Sequence, residues 1–225
     1  MATDTGTVQQ AAFSGALSTV RSLIEAQPTS IKGLVSQQAA LHWAASGKHV
    51  NVAEYLIEKG ADVNALDDAD WTPLMIAVSV GSAPLVDFLL QNGADVNLQN
   101  ENKQTPLFYA ASKGWLDVCQ LLISHGAKIN VRDHLNQTAL HRACAKGNVA
   151  LVRLLLEQNN IKLDIDDRDG NSALHIAIDN GHGEVAVLLV DAGADVDSEN
   201  REKKKPLDLA TDGNLRLFLE KAWKR

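Results

Sequence analysis

The stretch TALHRACAKGN, residues 138 to 148, sets His141, Arg142, Cys144 and Lys146 within six positions. Three chemistries use such residues: a thiol activated by an imidazole, a zinc ion held by His and Cys, and an anion received by a guanidinium and an ammonium. Two ligands are too few for zinc, and no second pair is near in the sequence. The nucleophile reading fails on register, because Ala45, Val78 and Ala111 take the offset of Cys144 in related segments. His42, His141 and His175 each follow a recurrent leucine and are expected to bond the backbone of adjacent loops. G-x-S-x-G, H-E-x-x-H, G-x-x-x-x-G-K-[ST] and G-x-G-x-x-G after a strand are all missing. The sequence therefore predicts no catalytic residue, no metal and no cofactor. Asp67-Asp68 and Asp164/Asp166-Asp167 are expected to be solvated turn residues, not calcium or catalytic carboxylates.

Composition narrows the function classes further. The chain has 225 residues, 45% of them hydrophobic, and a net charge of -7. That charge argues against a nucleic-acid or anionic-membrane binder. The N-terminal MATDTGTVQQAAF has no cationic start, and no run approaches the roughly 18 apolar residues of a membrane span. A soluble intracellular protein is expected. Cys119 and Cys144 sit in apolar helical patterns and read as buried free thiols. The NQT triplet at Asn136 reads as a chance match to a glycosylation acceptor.

These residues must be positioned by a repeat. AALHWAAS, TPLMIAVS, TPLFYAAS, TALHRACA, SALHIAID and KPLDLATD align on Leu41, Leu74, Leu107, Leu140, Leu174 and Leu207, spaced 33, 33, 33, 34 and 33 residues apart. Asn159-Asn160 marks the extra residue, and 33 is the ankyrin period. Counting back from Leu41 reaches Val8, so VQQAAFSG reads as a degenerate first copy. Three residues past each leucine an alanine lets neighbouring helices approach. Seven past it, Gly15, Gly81, Gly114, Gly147 and Gly181 suit a left-handed helix end, with Lys48 and Asn214 as exceptions. A second helix follows with apolar pairs four apart, such as Val86/Leu90 and Val152/Leu156. Asp- and Asn-rich loops then lead to Thr and Pro at the next helix start. The predicted fold is an all-α ankyrin-repeat solenoid, elongated and gently curved. Its seven repeats of about 33 residues carry short β-hairpin loops within a single domain over 1–225. The repeats fall at about 4–36, 37–69, 70–102, 103–135, 136–169, 170–202 and 203–225. The terminal NLRLFLEKAWKR reads as a cap, with Trp223 covering the last helix.

With the backbone so constrained, the variable offsets choose the partner. Two past the leucine stand Trp43, Ile76, Tyr109, Arg142, Ile176 and Leu209, including the aromatic and Arg types enriched at binding hot spots. A guanidinium among apolar equivalents is costly without an acceptor, which marks Arg142 for contact. Three before the leucine, Trp71 stands out among amides and a lysine and is expected to anchor a ligand. Lys113 and Lys146, with Arg132 and Arg142, make a positive stretch in repeats four and five, preceded by Asp67, Asp68, Asp70 and Glu101. A partner with basic residues, then acidic ones, would match it.

ALHWAASGKH, DDADWTPLMIA, YAASKG, ALHRACAKGN, DGNSALHIA and ENREKKKPLDLA together resemble the gankyrin-type ankyrin-repeat assembly chaperones of the proteasome regulatory particle. The resemblance runs across all seven repeats. It implies a non-enzymatic protein, monomeric when free, in cytoplasm and nucleus. Its concave face would bind the C-terminal helical domain of one regulatory-particle ATPase subunit and hinder premature docking on the core particle. The implied contacts include Asp68, Trp71, Lys113, Arg142 and Lys146. Some animal members carry L-x-C-x-E in repeat six for retinoblastoma-type partners; here residues 176 to 180 read IAIDN, so that activity is not expected. Ser36 and Gln38 also depart from the family, which weakens the inference for repeat two. The competing reading is an adaptor or inhibitor that binds a kinase, a transcription factor or another protein on the same scaffold.

Overall fold

Helix starts in this chain are built from a capping hydroxyl and a proline. The Thr72 hydroxyl accepts from the Met75 amide at 3.2 Å and the Thr105 hydroxyl from the Phe108 amide at 3.3 Å, with Pro73 and Pro106 at the first helical positions. Proline loses nothing there, since its missing N–H would be unsatisfied anyway. A computed structural model describes residues 7–26 and 31–223, the side chains of 31–38 excepted. The N-terminal end of the first expected repeat and the side chains of Ser36 and Gln38 lie outside the described residues.

The chain forms two compact units, Met1–Glu101 and Asn102–Arg225. The first contains α1 (Val8–Phe13), α2 (Leu17–Glu25), α3 (Ile31–Ser46), α4 (Val50–Glu58), α5 (Pro73–Ser79) and α6 (Ala83–Gln91). Within it α1, α3 and α5 pack in one row and α2, α4 and α6 in a second. The degenerate first repeat is therefore a real helix pair. Repeat two lacks the Thr-Pro start, and its first helix begins at Ile31.

The second unit contains α7 (Pro106–Lys113), α8 (Leu116–Ser124), α9 (Ala139–Ala145), α10 (Val149–Leu156), α11 (Ala173–Asp179), α12 (Gly183–Asp191), a 3-10 turn (Pro206–Leu209) and α13 (Gly213–Ala222). The rows are α7, α9, α11 and the 3-10 turn, then α8, α10, α12 and α13. The last repeat thus replaces its first helix by a single tight turn. Its Ala210 is extended, with ψ 92°. Trp223, at the end of α13, is half-buried with its indole N–H enclosed.

The leucines that align the repeats form the core. Leu41, Leu74, Leu107, Leu140 and Leu174 are at most 1% exposed, and Ala44, Ala77, Ala110, Ala143 and Ala177 are fully buried. Each such leucine is worth about 1.5–3 kcal/mol of burial. Leu207, in the 3-10 turn, is only half-buried.

Among the described residues the loops contain no strand and close as tight turns instead. Asp67, Asp133 and Asp167 each accept, through Oδ1, the amides two and four residues on, at 2.8–2.9 Å. Asn200 does the same at 3.0 and 3.1 Å. Asp70, Lys103, Asn136, Gly170 and Lys203 take the left-handed tip with φ between 58° and 78°. The expectation that Asp167 is a solvated turn residue is corrected: it is 8% exposed, and it is buried because its carboxylate stitches the turn from inside. Lys48, expected to break the glycine rule, is itself left-handed at φ 64°.

Candidate functional site

The cluster that opened the sequence resolves into scaffold and surface. Thr138 donates to His141 Nδ1 from its backbone N–H at 3.2 Å and its hydroxyl at 2.8 Å, so Nδ1 is an acceptor that caps α9. His175 repeats this with Ser172, and its Nε2 donates to the Lys204 carbonyl at 3.1 Å; His42 Nε2 donates to the Trp71 carbonyl at 3.0 Å. Burial pushes the His141 pKa down, opposed by Asp167, the carbonyls of Asn171 and Ile165, and Asp133. Cys144 is fully buried, and its thiol is pushed far above its ordinary range; Cys119 is raised to about 12 by burial and by Asp117. A nucleophile needs thiolate and access. Cys144 has neither.

In the first unit Trp43 and Asp68 share a hollow of about 540 Å³ with Ser46, Leu66, Asp67 and Ile76. Trp43 is 48% exposed and stands edge-on to Phe13, with centroids 5.9 Å apart. Leu66, which sequence reasoning passed over, is 53% exposed on the same hollow. Its loop setting was visible, but nothing in the repeat pattern says that a loop leucine faces water. Asp67 Oδ1 is spent on the Ala69 and Trp71 amides. Asp70 is exposed at the turn tip, and Glu101 is exposed with its amide 3.4 Å from the Ala69 carbonyl. Trp71 is half-buried, and its backbone is held at both ends by Asp67 and His42.

In the second unit Lys113 ends α7, Lys146 follows α9, and Arg132 lies in the loop between α8 and α9; all three are exposed. Lysines at helix C-termini also favour the helix dipole. Arg142 is half-buried and finds its acceptors internally: Nη1 donates to Gln137 Oε1 and Nη2 to Ser112 Oγ, both at 3.3 Å, with the guanidinium carbon 5.8 Å from the centre of the Phe108 ring. Two of its donors are thus satisfied within the scaffold, while its buried Nε has no hydrogen-bond partner among the described residues. Both acceptors are neutral, so the charge itself is unmatched. Tyr109, half-buried, meets Phe108 edge-on at 6.4 Å. Lys203, Lys204, Lys205 and Arg216 form ion pairs with acids between Asp197 and Glu220. Lys113, Arg132, Arg142, Lys146, Asp68, Asp70 and Glu101 are in no ion pair with a described residue.

Of the six residues two past the repeat leucine Trp43 is exposed and the other five are half-buried, while their neighbours at the alanine offset are buried in every repeat. The scaffold thus presents one changeable side chain per repeat. Ser36 and Gln38 add nothing here, as their side chains lie outside the described ones. No described helix is long and apolar enough to cross a membrane.

Comparison with known proteins agrees with this architecture. The family description Ankyrin repeats (3 copies) matches residues 8–100, 66–133, 81–167, 126–200 and 160–220. A transient receptor potential cation channel subfamily A member 1 homolog from Caenorhabditis elegans is 44% identical over 61 residues, 27% of this chain and 5% of that protein. Alpha-latrocrustotoxin-Lt1a from Latrodectus tredecimguttatus is 41% identical over 68 residues, 30% of this chain and 5% of the toxin. The 26S proteasome non-ATPase regulatory subunit 10 of Homo sapiens is 41% identical over 63 residues, 28% of each chain. The matched stretches thus span well under two thirds of these relatives. With the helix pairs, the capped turns and the matches over residues 8–220 taken together, the chain belongs to the ankyrin-repeat family, as a protein-interaction scaffold.

Proposed function

We propose that this protein is a non-enzymatic assembly chaperone of the proteasome regulatory particle, acting in cytoplasm and nucleus. It binds the C-terminal helical domain of one ATPase subunit. The observation that carries the reading is the set of exposed charges without internal ion pairs: Asp68, Asp70 and Glu101 in the first unit, Lys113, Arg132 and Lys146 in the second, with Arg142 held by neutral groups. Such charges cost little in water and become selective when a partner of opposite sign arrives. The similarity to a 26S proteasome regulatory subunit supports the choice of partner.

In this reading Trp43 and Trp71 supply apolar contact, Asp68, Asp70 and Glu101 receive basic side chains, and Tyr109, Lys113, Arg132, Arg142 and Lys146 face acidic ones. The mechanism is steric: a bound ATPase module is kept from docking on the core particle until assembly has advanced, and no cofactor takes part. The test is a pull-down with the isolated C-terminal domain of each regulatory-particle ATPase. One domain should be retained; retention of none refutes the reading.

A second reading is favoured by the relatives, since a cation channel homolog and a toxin are as similar over comparable lengths as the proteasome subunit is. Under it the same scaffold serves another protein. Unbiased co-purification separates the two: regulatory-particle subunits are recovered under the first reading and absent under the second.

A further inference from the structure

Trp115 stands at the cap position preceding α8 and is 40% exposed. At the same offset the other repeats carry Ala16, His49, Ser82, Asn148, His182 and Leu215. Three of these reach back one repeat as polar struts: His49 Nε2 to the Phe13 carbonyl at 2.9 Å, Asn148 Nδ2 to the Gly114 carbonyl at 3.5 Å, and His182 Nε2 to the Ala145 carbonyl at 3.3 Å. The indole makes no such bond among the described residues. Leu215 at this offset lies against Gly183 of the preceding repeat, but Trp115 leaves 40% of its surface in water, and that exposed part needs a reason beyond packing.

Its surroundings supply one. The Asn148 to Gly114 bond draws the turn after α9 onto the turn after α7. Lys113, Trp115 and Lys146 thereby share one edge of the second unit, all three exposed. Neither lysine has an ion pair among the described residues. Asp117, exposed in the first turn of α8, is the carboxylate nearest in sequence, and its place suits the helix dipole. The edge stays net positive. Tryptophan is enriched in binding hot spots, where the contacts around it exclude water once the partner is seated.

We infer that this edge is a docking site for an acidic segment of the partner protein, with an apolar side chain laid on Trp115 and flanking carboxylates received by Lys113 and Lys146. The inference rests on the proposed function and adds to it an apolar anchor that the repeat offsets did not reveal. Acidic protein, not nucleic acid, is the occupant, because a chain of net charge -7 repels a polyanion away from this small patch.

The test titrates the full chain with the ATPase C-terminal domain retained in the pull-down. Trp115→Ser should weaken binding about tenfold or more, and Trp115→Phe should recover most of that loss. Lys113→Glu with Lys146→Glu should weaken it as well and flatten its salt dependence. In 5-fluorotryptophan NMR of the unsubstituted chain, the resonance missing from Trp115→Phe should shift on saturation, which decides the matter even if Trp115→Ser does not fold. Unchanged affinity in folded Trp115→Ser, or an unmoved Trp115 resonance, overturns this inference alone. Binding by none of the domains overturns the proposed function and this inference with it. Tight binding of single-stranded DNA at the same edge would also overturn it.

Discussion

Arg142 is held by the scaffold and, in the proposed function, also meets the partner. Its bonds to Gln137 and Ser112 aim the guanidinium without neutralising it. Arg142→Ala should therefore weaken partner binding by roughly 1 to 4 kcal/mol. Urea unfolding should lose only about 1 kcal/mol, the net worth of neutral hydrogen bonds on a half-buried group. A larger loss of stability would move Arg142 into the scaffold. The partly exposed place of Arg142 is legible from its offset, but its acceptors are not, because they lie five and thirty positions away. His141 yields a pH dependence. Its folded pKa is lowered, so the unfolded chain takes up the proton first as pH falls. The stabilisation is complete above the unfolded value of about 6.5 and is lost as pH drops from there through the folded pKa. Unfolding free energy measured at pH 7.5 and 5.5 should fall in the unsubstituted chain and fall less in His141→Gln.

At the level of elements, Lys48 is the position where sequence and backbone disagree most plainly. A lysine there adopts the left-handed conformation that other repeats give to glycine. That conformation costs a side-chain-bearing residue about 1–2 kcal/mol. Lys48→Gly should thus raise the unfolding free energy by about 0.5–1 kcal/mol, after the greater freedom of glycine in the unfolded chain is subtracted. Chemical denaturation reads this directly, and a loss of stability would show that the lysine side chain has a packing role. The first helices were legible because Thr-Pro and the leucine-alanine spacing act locally. The 3-10 turn of the last repeat was not, since KPLDLATD looks like its relatives. Trp115 is hidden in the sequence because Gly114 carries the helix-closure signal of its repeat and the residue after it carries none.

On the scale of the molecule, period and register alone predicted the repeat architecture, because each unit buries its leucine only against its neighbours. Partner identity is not written in the same way; in the proposed function it depends on charges that the scaffold leaves unmatched. The second compact unit holds four repeats, more than the three or so that ankyrin stability needs. A fragment of residues 102–225 should accordingly show a cooperative thermal transition by circular dichroism, whereas one of residues 170–225 should not. A broad, non-cooperative melt of the longer fragment would mean that its packing requires the first unit.

The extra residue of repeat five has a practical use. The other second helices that end in a left-handed turn use Gly60, Gly93, Gly126 or Gly193, but no left-handed residue occurs at 157–161; one more residue rounds the corner there. Asn130 still braces the loop through Asn160 at 2.7 Å and Lys162 at 3.1 Å, so the lengthening goes no further. Asn159 is exposed, while both native thiols are sealed in the interior. A cysteine introduced by Asn159→Cys would then take a maleimide dye alone, giving a singly labelled molecule for fluorescence anisotropy with every native residue but one in place.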